Sequence, residues 1–361
     1  MRILQVINSL ATGGAEKLLI ESIPLYHKRG IQVDVLLLNG NNQPFLDKLK
    51  SLNCCKIISI GNSSVYNPFL ILKIIPFLKK YDIIHVHLFP SLYWVAIAKM
   101  ISFSKVKLIY TEHSTSNRRR DSAIFSIFDK IAYSQYYKIV AITQEVQSNL
   151  KKHLKNDAIT TFQLIQNGVN LEEIKNSNSF EKSTFFDDIN AKIIIQVARF
   201  FEPKDQNTVI RSLQYLPKEV KLLLVGEGDL KSKSEALAKE LNLQDRILFL
   251  GIRMDVLSLL KTADIIVLSS KHEGLSLACI EGMASGRPFI ASDVPGLKEV
   301  VTNFGLVFPD GDDKMLANQI SKLLNDNEYY TKITNACLQK ASEFDINTMI
   351  SQYIKLYNTI E

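Results

Sequence analysis

Several things are scarce in this chain of 361 residues, and each scarcity removes a class of protein. The four cysteines, Cys54, Cys55, Cys279 and Cys337, stand in no metal-ligand spacing and form no C-x-x-C pair. A disulfide scaffold is therefore excluded, and the thiols read as reduced. No apolar run reaches the ~18 to 20 residues of a spanning helix, because lysines interrupt ILKIIPFLKK and VAIAKMISFSKVK. The opening MRILQVINSL has one short apolar run before the polar ATGGAEK and lacks a secretory h-region or cleavage site. A cytoplasmic protein is expected, peripheral on a membrane at most. Long Pro/Gly-rich or low-complexity tracts are missing, which excludes fibrous and disordered classes. G-x-G-x-x-G is missing too, and no acidic residue closes VDVLLL, which disfavours a dinucleotide-dependent dehydrogenase.

What is present is an ordinary folded composition, 46% hydrophobic and 22% charged, in a length that suits two domains. The formal net charge is 43 − 37 = +6, unevenly spread. Met1 to Asn178 holds 22 Lys+Arg against 12 Asp+Glu, or +10; the remainder holds 21 against 25, or −4. The basic half favours an anionic partner, a phosphorylated lipid, a membrane surface or nucleic acid, or else is simply a solvated surface.

Short β-branched runs alternate with helix-length amphipathic stretches. The strands are expected at residues 3–7, 33–38, 56–60, 83–87, 107–113, 138–143 and 161–169, then at 192–199, 221–228, 247–251, 265–270, 288–294 and 305–309. Nearly continuous apolar strands separated by helices indicate parallel sheets covered on both faces, a doubly wound α/β architecture occurring twice. The polar stretch LEEIKNSNSFEKSTFFDDINAK suggests a boundary near Ser177 to Asp188, giving domains 1–180 and 181–345. The last helical pattern, 346–361, has no strand after it and suits either domain.

Ligands of such sheets bind beyond the carboxyl ends of the strands, so the loops there carry the candidates. The first is Asn8 to Glu16, where Gly13 and Gly14 permit a tight turn and a helix N-terminus offers N–H groups to an anion, or where a turn merely connects two elements. His85, His87 and His113 end two neighbouring strands; each alone suits a structural histidine, His113 reaches furthest past its strand, and no third ligand is spaced for zinc. In the second half Arg199 ends KIIIQVAR and Lys204 follows five positions later, a pair suited to a diphosphate or to solvent. The densest segment runs from Ser269 to Pro288. There Glu273 stands in a loop and Gly274 allows close approach, while a helix from Leu275 to near Gly286 aims the N–H groups of Gly274, Leu275 and Ser276 at an anion. Glu281 follows eight positions after Glu273. Two carboxylates for hydroxyls beside two cations for phosphates describe a nucleotide-sugar site.

Glu273-x7-Glu281 within HEGLSLACIEGMASGRPFIASDVPG, Arg199-x4-Lys204 and the early GGAEK together resemble the retaining glycosyltransferases of family 4, over essentially the whole chain. The resemblance implies a GT-B fold, two Rossmann-like domains facing a central cleft, with the final helix crossing back to complete the first. It implies that Arg199 and Lys204 hold the donor diphosphate, that Glu273 binds hydroxyls of the transferred sugar and Glu281 the ribose, and that backbone groups of Gly274 to Ser276 cap the distal phosphate. His113 matches the histidine near the anomeric carbon, Gly13 and Gly14 the loop over the diphosphate, and Gly251 to Met254, with Arg253, the neighbourhood of the base. Two positions depart from the family pattern: Ala198 and Asp205 stand where glycines are frequent, and the Asp205 charge is expected to weaken Lys204 by partial pairing.

The activity so implied is metal-independent transfer of a hexose-type sugar from a nucleoside diphosphate sugar, UDP favoured, to a hydroxyl of a glycan or lipid-linked acceptor with retention, in cell-surface polysaccharide synthesis. No cofactor and no nucleic acid is expected. Arg118 to Arg120 followed by SAIFSIFDKIAYSQYYK has the pattern of a helix lying on an anionic membrane, or of a core helix with a basic start. A nucleotide-sugar 2-epimerase of the same fold and a non-catalytic sugar-binding protein are the alternatives.

Overall fold

A computed structural model describes residues 1–41, 43–114, 122–154, 161–188 and 190–360. The three arginines at 118–120 lie outside the described residues, as does Thr115.

The first unit, Met1–Gly168 with Ile346–Glu361, holds a seven-stranded parallel sheet. Its strands are β1 (Arg2–Ile7), β2 (Gln32–Leu37), β3 (Ile57–Ser59), β4 (Ile83–His87), β5 (Lys107–Glu112), β6 (Lys138–Ala141) and β7 (Thr161–Leu164), in the order β3-β2-β1-β4-β5-β6-β7. The second unit, Val169–Asp345, holds six: β8 (Lys192–Val197), β9 (Val220–Val225), β10 (Ile247–Gly251), β11 (Ile265–Leu268), β12 (Phe289–Ser292) and β13 (Leu306–Phe308), in the order β10-β9-β8-β11-β12-β13. All thirteen strands form where the apolar runs lie, with ends one to five residues shorter in the longest cases because the polar tails turn out into loops. In both sheets the order reverses beside the first strand, at β1/β4 and at β8/β11. A crevice opens at such a switch point because the flanking loops diverge.

Residues 169–180 belong to the second unit, so the chain passes between units at Gly168 and Val169, ahead of the polar stretch at 177–188. That stretch is fastened to the second sheet. Lys182 Nζ donates to both Asp264 oxygens at 2.6 and 2.8 Å, Ile193 N donates to the same carboxylate at 2.7 Å, and Phe180 N donates to Thr262 Oγ1 at 2.8 Å.

The final helix, Ile346–Asn358, buries Ile346, Met349, Ile350, Tyr353, Leu356 and Tyr357, the spacing of one helical face, against the first unit. It is pinned at its rim by Arg29, which donates to Ser351 Oγ at 2.9 Å and Asn347 Oδ1 at 3.1 Å. Beneath it runs a buried polar seam. Gln5 Nε2 donates to Tyr357 Oη at 3.1 Å, His85 Nδ1 lies 2.7 Å from that hydroxyl, and His85 Nε2 lies 2.7 Å from Thr111 Oγ1. Burial disfavours the charged imidazolium, holding His85 down to about 3, His87 well below the usual range and His113 down to about 4.

In the second unit the helix Leu277–Ala284 presses against the sheet through Gly282, where an added Cβ would lie 2.5 Å from the ring of the fully buried Phe289 and 3.1 Å from Ile266. Two outcomes are expected. Gly282→Ala destabilises by about 1–3 kcal/mol through overpacking, although the same change raises helix propensity by ~1 kcal/mol in an open helix; a raised urea midpoint contradicts the packing account. For the histidines, the unfolded chain takes up protons below about pH 6.5 that the folded state rejects until far lower. Stability is therefore fully present above pH 6.5 and falls below it by up to about 1.4 kcal/mol per pH unit for each excluded proton. Urea midpoints measured from pH 8 to pH 4.5 check this, and His85→Gln reduces the acid loss.

Candidate functional site

The second unit's switch point brings together the loop after β8 and the loop after β11. Gln196, in β8, accepts from Ser269 N at 3.1 Å, and Asp205 N donates to Ser269 O at 3.1 Å. Lys204 forms an isolated antiparallel bridge with Ser270, and Lys271 N donates to Pro203 O at 2.9 Å. The two loops are thus zipped by backbone bonds, and the residues they carry have fixed neighbours.

Arg199 emerges on the exposed side, its guanidinium 5.8 Å from the Phe201 ring centre; among the described residues no carboxylate pairs with it. Its backbone is clipped from both sides, Ala198 N donating to Val225 O and Phe200 N to Glu227 O, each at 3.0 Å. Lys204 pairs directly with Glu273, both largely buried. Asp205 does not compete for that lysine. Its carboxylate caps the helix Gln206–Ser212, accepting from Thr208 N at 3.2 Å and from the Thr208 hydroxyl, because the first-turn N–H groups need an acceptor. The partial pairing of Asp205 with Lys204 expected from the sequence does not form.

Glu273 is held from above by the loop after β12. Glu273 N donates to Pro295 O at 3.1 Å, and Gly296, at φ +84°, passes so close that an added Cβ would lie 2.1 Å from Glu273 O. Ser292 Oγ accepts from Ser270 N at 2.8 Å and donates to Ser270 O at 2.7 Å. The helix beyond starts at Leu277 and ends at Ala284, shorter than the expected span from Leu275 to near Gly286. Gly274 and Leu275 therefore lie in the loop. Ser276 is the cap residue, but its side chain makes no cap bond, so no serine oxygen covers the first-turn N–H groups. Ile280 N takes Ser276 O, the first bond of the helix. Glu281 is buried on this helix, 4% exposed.

Arg253 stands apart. It follows β10, the edge strand two places from β8, and forks onto Asp255 with Nε 2.8 Å from Oδ1. The adjacent Asp255 holds this guanidinium and raises its pKa further. The same loop exposes Ile252 and Met254. The only Asp-x-Asp in the chain, Asp310-Gly311-Asp312, follows β13, where Asp312 caps the helix Asp313–Asn325 by accepting from Met315 N at 2.9 Å.

In the first unit the helix Gly14–Lys28 begins at the second glycine with Gly13 extended before it. An added Cβ at Gly13 would lie 2.2 Å from Glu16 Oε2, so the helix's own carboxylate folds back over the loop that was expected to offer open N–H groups. His113 follows β5, its Nε2 3.1 Å from His87 Nδ1, and His87 Nε2 is 2.7 Å from Gln5 Oε1. Sequence reasoning passed over Gln5, Gln196 and Ser292, since a lone polar residue in an apolar run gives no signal of its partner.

Two family models cover the chain in succession: Glycosyltransferase Family 4 matches residues 12–173 and Glycosyl transferases group 1 matches residues 178–339. Among curated relatives, an N-acetylgalactosamine-N,N'-diacetylbacillosaminyl-diphospho-undecaprenol 4-alpha-N-acetylgalactosaminyltransferase of Campylobacter jejuni is 26% identical over 358 residues, 94% of each chain. An N-acetyl-alpha-D-glucosaminyl L-malate synthase of Bacillus anthracis is 27% identical over 290 residues, 76% of this chain and 74% of the relative. Among solved structures, Anabaena Alr3699/HepE in complex with UDP and glucose shares the fold with a TM-score of 0.86 at 22% identity, over 99% of this chain and 100% of that one. With both sheets, the motif loops at the switch point and two successive family matches in agreement, the chain belongs to glycosyltransferase family 4, the GT-B glycosyltransferases.

Proposed function

We propose that this glycosyltransferase moves a hexose-type sugar from UDP to a hydroxyl of a lipid-linked glycan, with retention and without a metal. The observation that carries the donor side is the convergence at the β8/β11 switch point of Arg199, free of any acid partner among the described residues, with the Lys204–Glu273 pair and the serine-uncapped start of the helix Leu277–Ala284.

Charge is the chemical burden of this reaction. The leaving diphosphate gains negative charge as the sugar becomes oxocarbenium-like, and preorganised donors aimed at that charge supply most of the acceleration. Arg199 forks onto phosphate oxygens, and Lys204 adds a point charge whose direction Glu273 fixes. The N–H groups from Gly274 through the first turn of the helix complete the anion site. Glu273 takes hydroxyls of the sugar, Glu281 the ribose, Gly13 and Gly14 approach the diphosphate, and His113 meets the sugar. Arg253, in the loop Gly251 to Met254, lies near the base, its guanidinium oriented by Asp255. Transfer on one face, with the leaving phosphate taking the acceptor proton, needs no enzyme carboxylate as nucleophile. UDP is supported by the HepE complex, and a lipid-linked acceptor by the diphospho-undecaprenol named for the Campylobacter relative. The 2-epimerase alternative finds no support among these relatives.

The helix Ala123–Tyr133 supports the acceptor reading. Asp129 points inward, accepting from Tyr93 Oη at 2.5 Å and meeting His153 Nε2 at 2.8 Å. Ile124, Ile127, Phe128 and Ile131, at i, i+3, i+4 and i+7, point outward with exposures of 68, 62, 54 and 45%. An outward apolar stripe in a unit rich in lysine suits an anionic lipid interface. No helix among the described residues is long and apolar enough to cross a membrane.

Arg199→Ala or Glu273→Gln should lower transfer from UDP-glucose or UDP-N-acetylglucosamine by about 10²–10³; unchanged transfer places the donor elsewhere. Activity should survive EDTA, and loss in EDTA that Mg²⁺ or Mn²⁺ restores contradicts the metal-free mechanism. Sedimentation with phosphatidylglycerol vesicles at low salt should retain the protein, with Phe128→Asp weakening retention; no binding overturns the membrane reading.

A further inference from the structure

Three of the chain's six histidines are joined through Gln5 and Tyr357 into one hydrogen-bonded series in the first unit. The Gln5 carboxamide at the centre gives the chain a direction. Its Nε2 donates to Tyr357 Oη at 3.1 Å, and its Oε1 faces His87 Nε2 at 2.7 Å. A carboxamide oxygen only accepts, so His87 Nε2 carries a proton. Burial keeps His87 neutral, which leaves Nδ1 as a lone pair. That lone pair faces His113 Nε2 at 3.1 Å, so His113 must donate there.

On the other side, Tyr357 receives from Gln5 and passes its hydroxyl proton toward His85 Nδ1, 2.7 Å away. His85 Nε2–H then donates to Thr111 Oγ1 at 2.7 Å, and that hydroxyl lies 3.1 Å from Tyr353 Oη. Tyr26 hydrogen-bonds the same Tyr357 hydroxyl, and with Tyr26 as the donor there the Tyr357 proton is left for His85 and each bond fixes the next. Turning the Gln5 amide over would reverse them all and place every one of the three imidazoles in its Nδ1–H form, the tautomer neutral histidine intrinsically disfavours. The end of the series is His113 Nδ1, for which the described residues supply no hydrogen-bond partner. Next to His87, Leu88 holds a left-handed backbone at φ +65°, which leucine rarely adopts, so this strand end is held by its surroundings.

We propose that Gln5, His87 and Tyr357 are positioning residues that lock His113 as the Nε2–H tautomer, so that its bare Nδ1 meets the substrate as an acceptor for a hydroxyl. The final helix thereby fixes the chemistry of the histidine through Tyr357. The inference rests on the reading of His113 as a substrate-facing residue, but its test needs no substrate.

The full chain labelled with ¹⁵N-histidine is recorded by two-bond ¹H–¹⁵N correlation at pH 8, with His113→Gln, His87→Gln and His85→Gln assigning the signals. The wild type should show His85, His87 and His113 each protonated at Nε2 only. An Nδ1–H signal or a doubly protonated ring at His87 or His113 overturns the proposal. Gln5→Glu gives a sharper second readout. Its carboxylate accepts from both His87 and Tyr357, so Tyr357 no longer donates to His85, and His85 alone should switch to Nδ1–H. A natively folded Gln5→Glu protein in which His85 keeps Nε2–H shows that Gln5 does not direct the series; if that variant does not fold, the wild-type pattern decides. Loss or retention of sugar transfer in His113→Gln bears on the site reading alone and leaves the wild-type spectrum unmoved.

Discussion

The second unit is organised around the ion pair between Lys204 and Glu273, which joins the loops after β8 and β11. Either charge alone in that half-buried position would face a desolvation cost without compensation. Together they are neutral, and the lysine keeps protons to offer a ligand. The neighbours are arranged around the pair: Asp205 caps a helix, Gly296 lets a third loop lie across the Glu273 backbone, and Arg199 has no acid partner among the described residues. In the proposed function this arrangement receives a ligand bearing phosphate on one side and hydroxyls on the other.

The two sheets solve the switch-point problem in the same way. Each has a buried glutamine in its first strand, Gln5 in β1 and Gln196 in β8, whose carboxamide reaches across to the strand or loop on the other side of the reversal. A carboxamide both donates and accepts, so it can satisfy two buried partners and set the direction of the bonds it enters. In the first unit that direction passes to histidines and to the tyrosines of the final helix; in the second it holds the Ser269 backbone beneath the donor loops.

Much of this was legible in the sequence, and the exceptions have a common cause. Strands were readable because apolar runs such as KIIIQV and KLLLV must be buried on both faces, and the switch points followed from their order. That Arg199, Lys204 and Glu273 meet at one end of the second sheet was readable because each lies in a loop beyond the carboxyl end of such a run. What could not be read was who pairs with whom. Arg253 looked as available as Arg199 until Asp255, two residues away, was seen to fork with it, and the Asp205 charge next to Lys204 turned to helix N–H groups instead. Gly13 and Gly14 signalled an open loop, yet the helix starts within them and Glu16 folds back over the turn. The pairing of polar groups across distant strands, Gln5 with His87 above all, depends on register between strands 82 positions apart and leaves no local pattern.

The central claim is that the second unit holds a nucleoside diphosphate through Arg199. Thermal unfolding of the full chain with UDP, GDP, ADP and TDP in turn measures it directly, since a ligand that binds only the folded state at 100 times its Kd stabilises by about 2.7 kcal/mol. The account predicts that UDP raises the transition of the wild type and that Arg199→Ala, with an unchanged unliganded transition, loses most of that rise. No shift with any of the four, or an equal shift in the wild type and the variant, would contradict it.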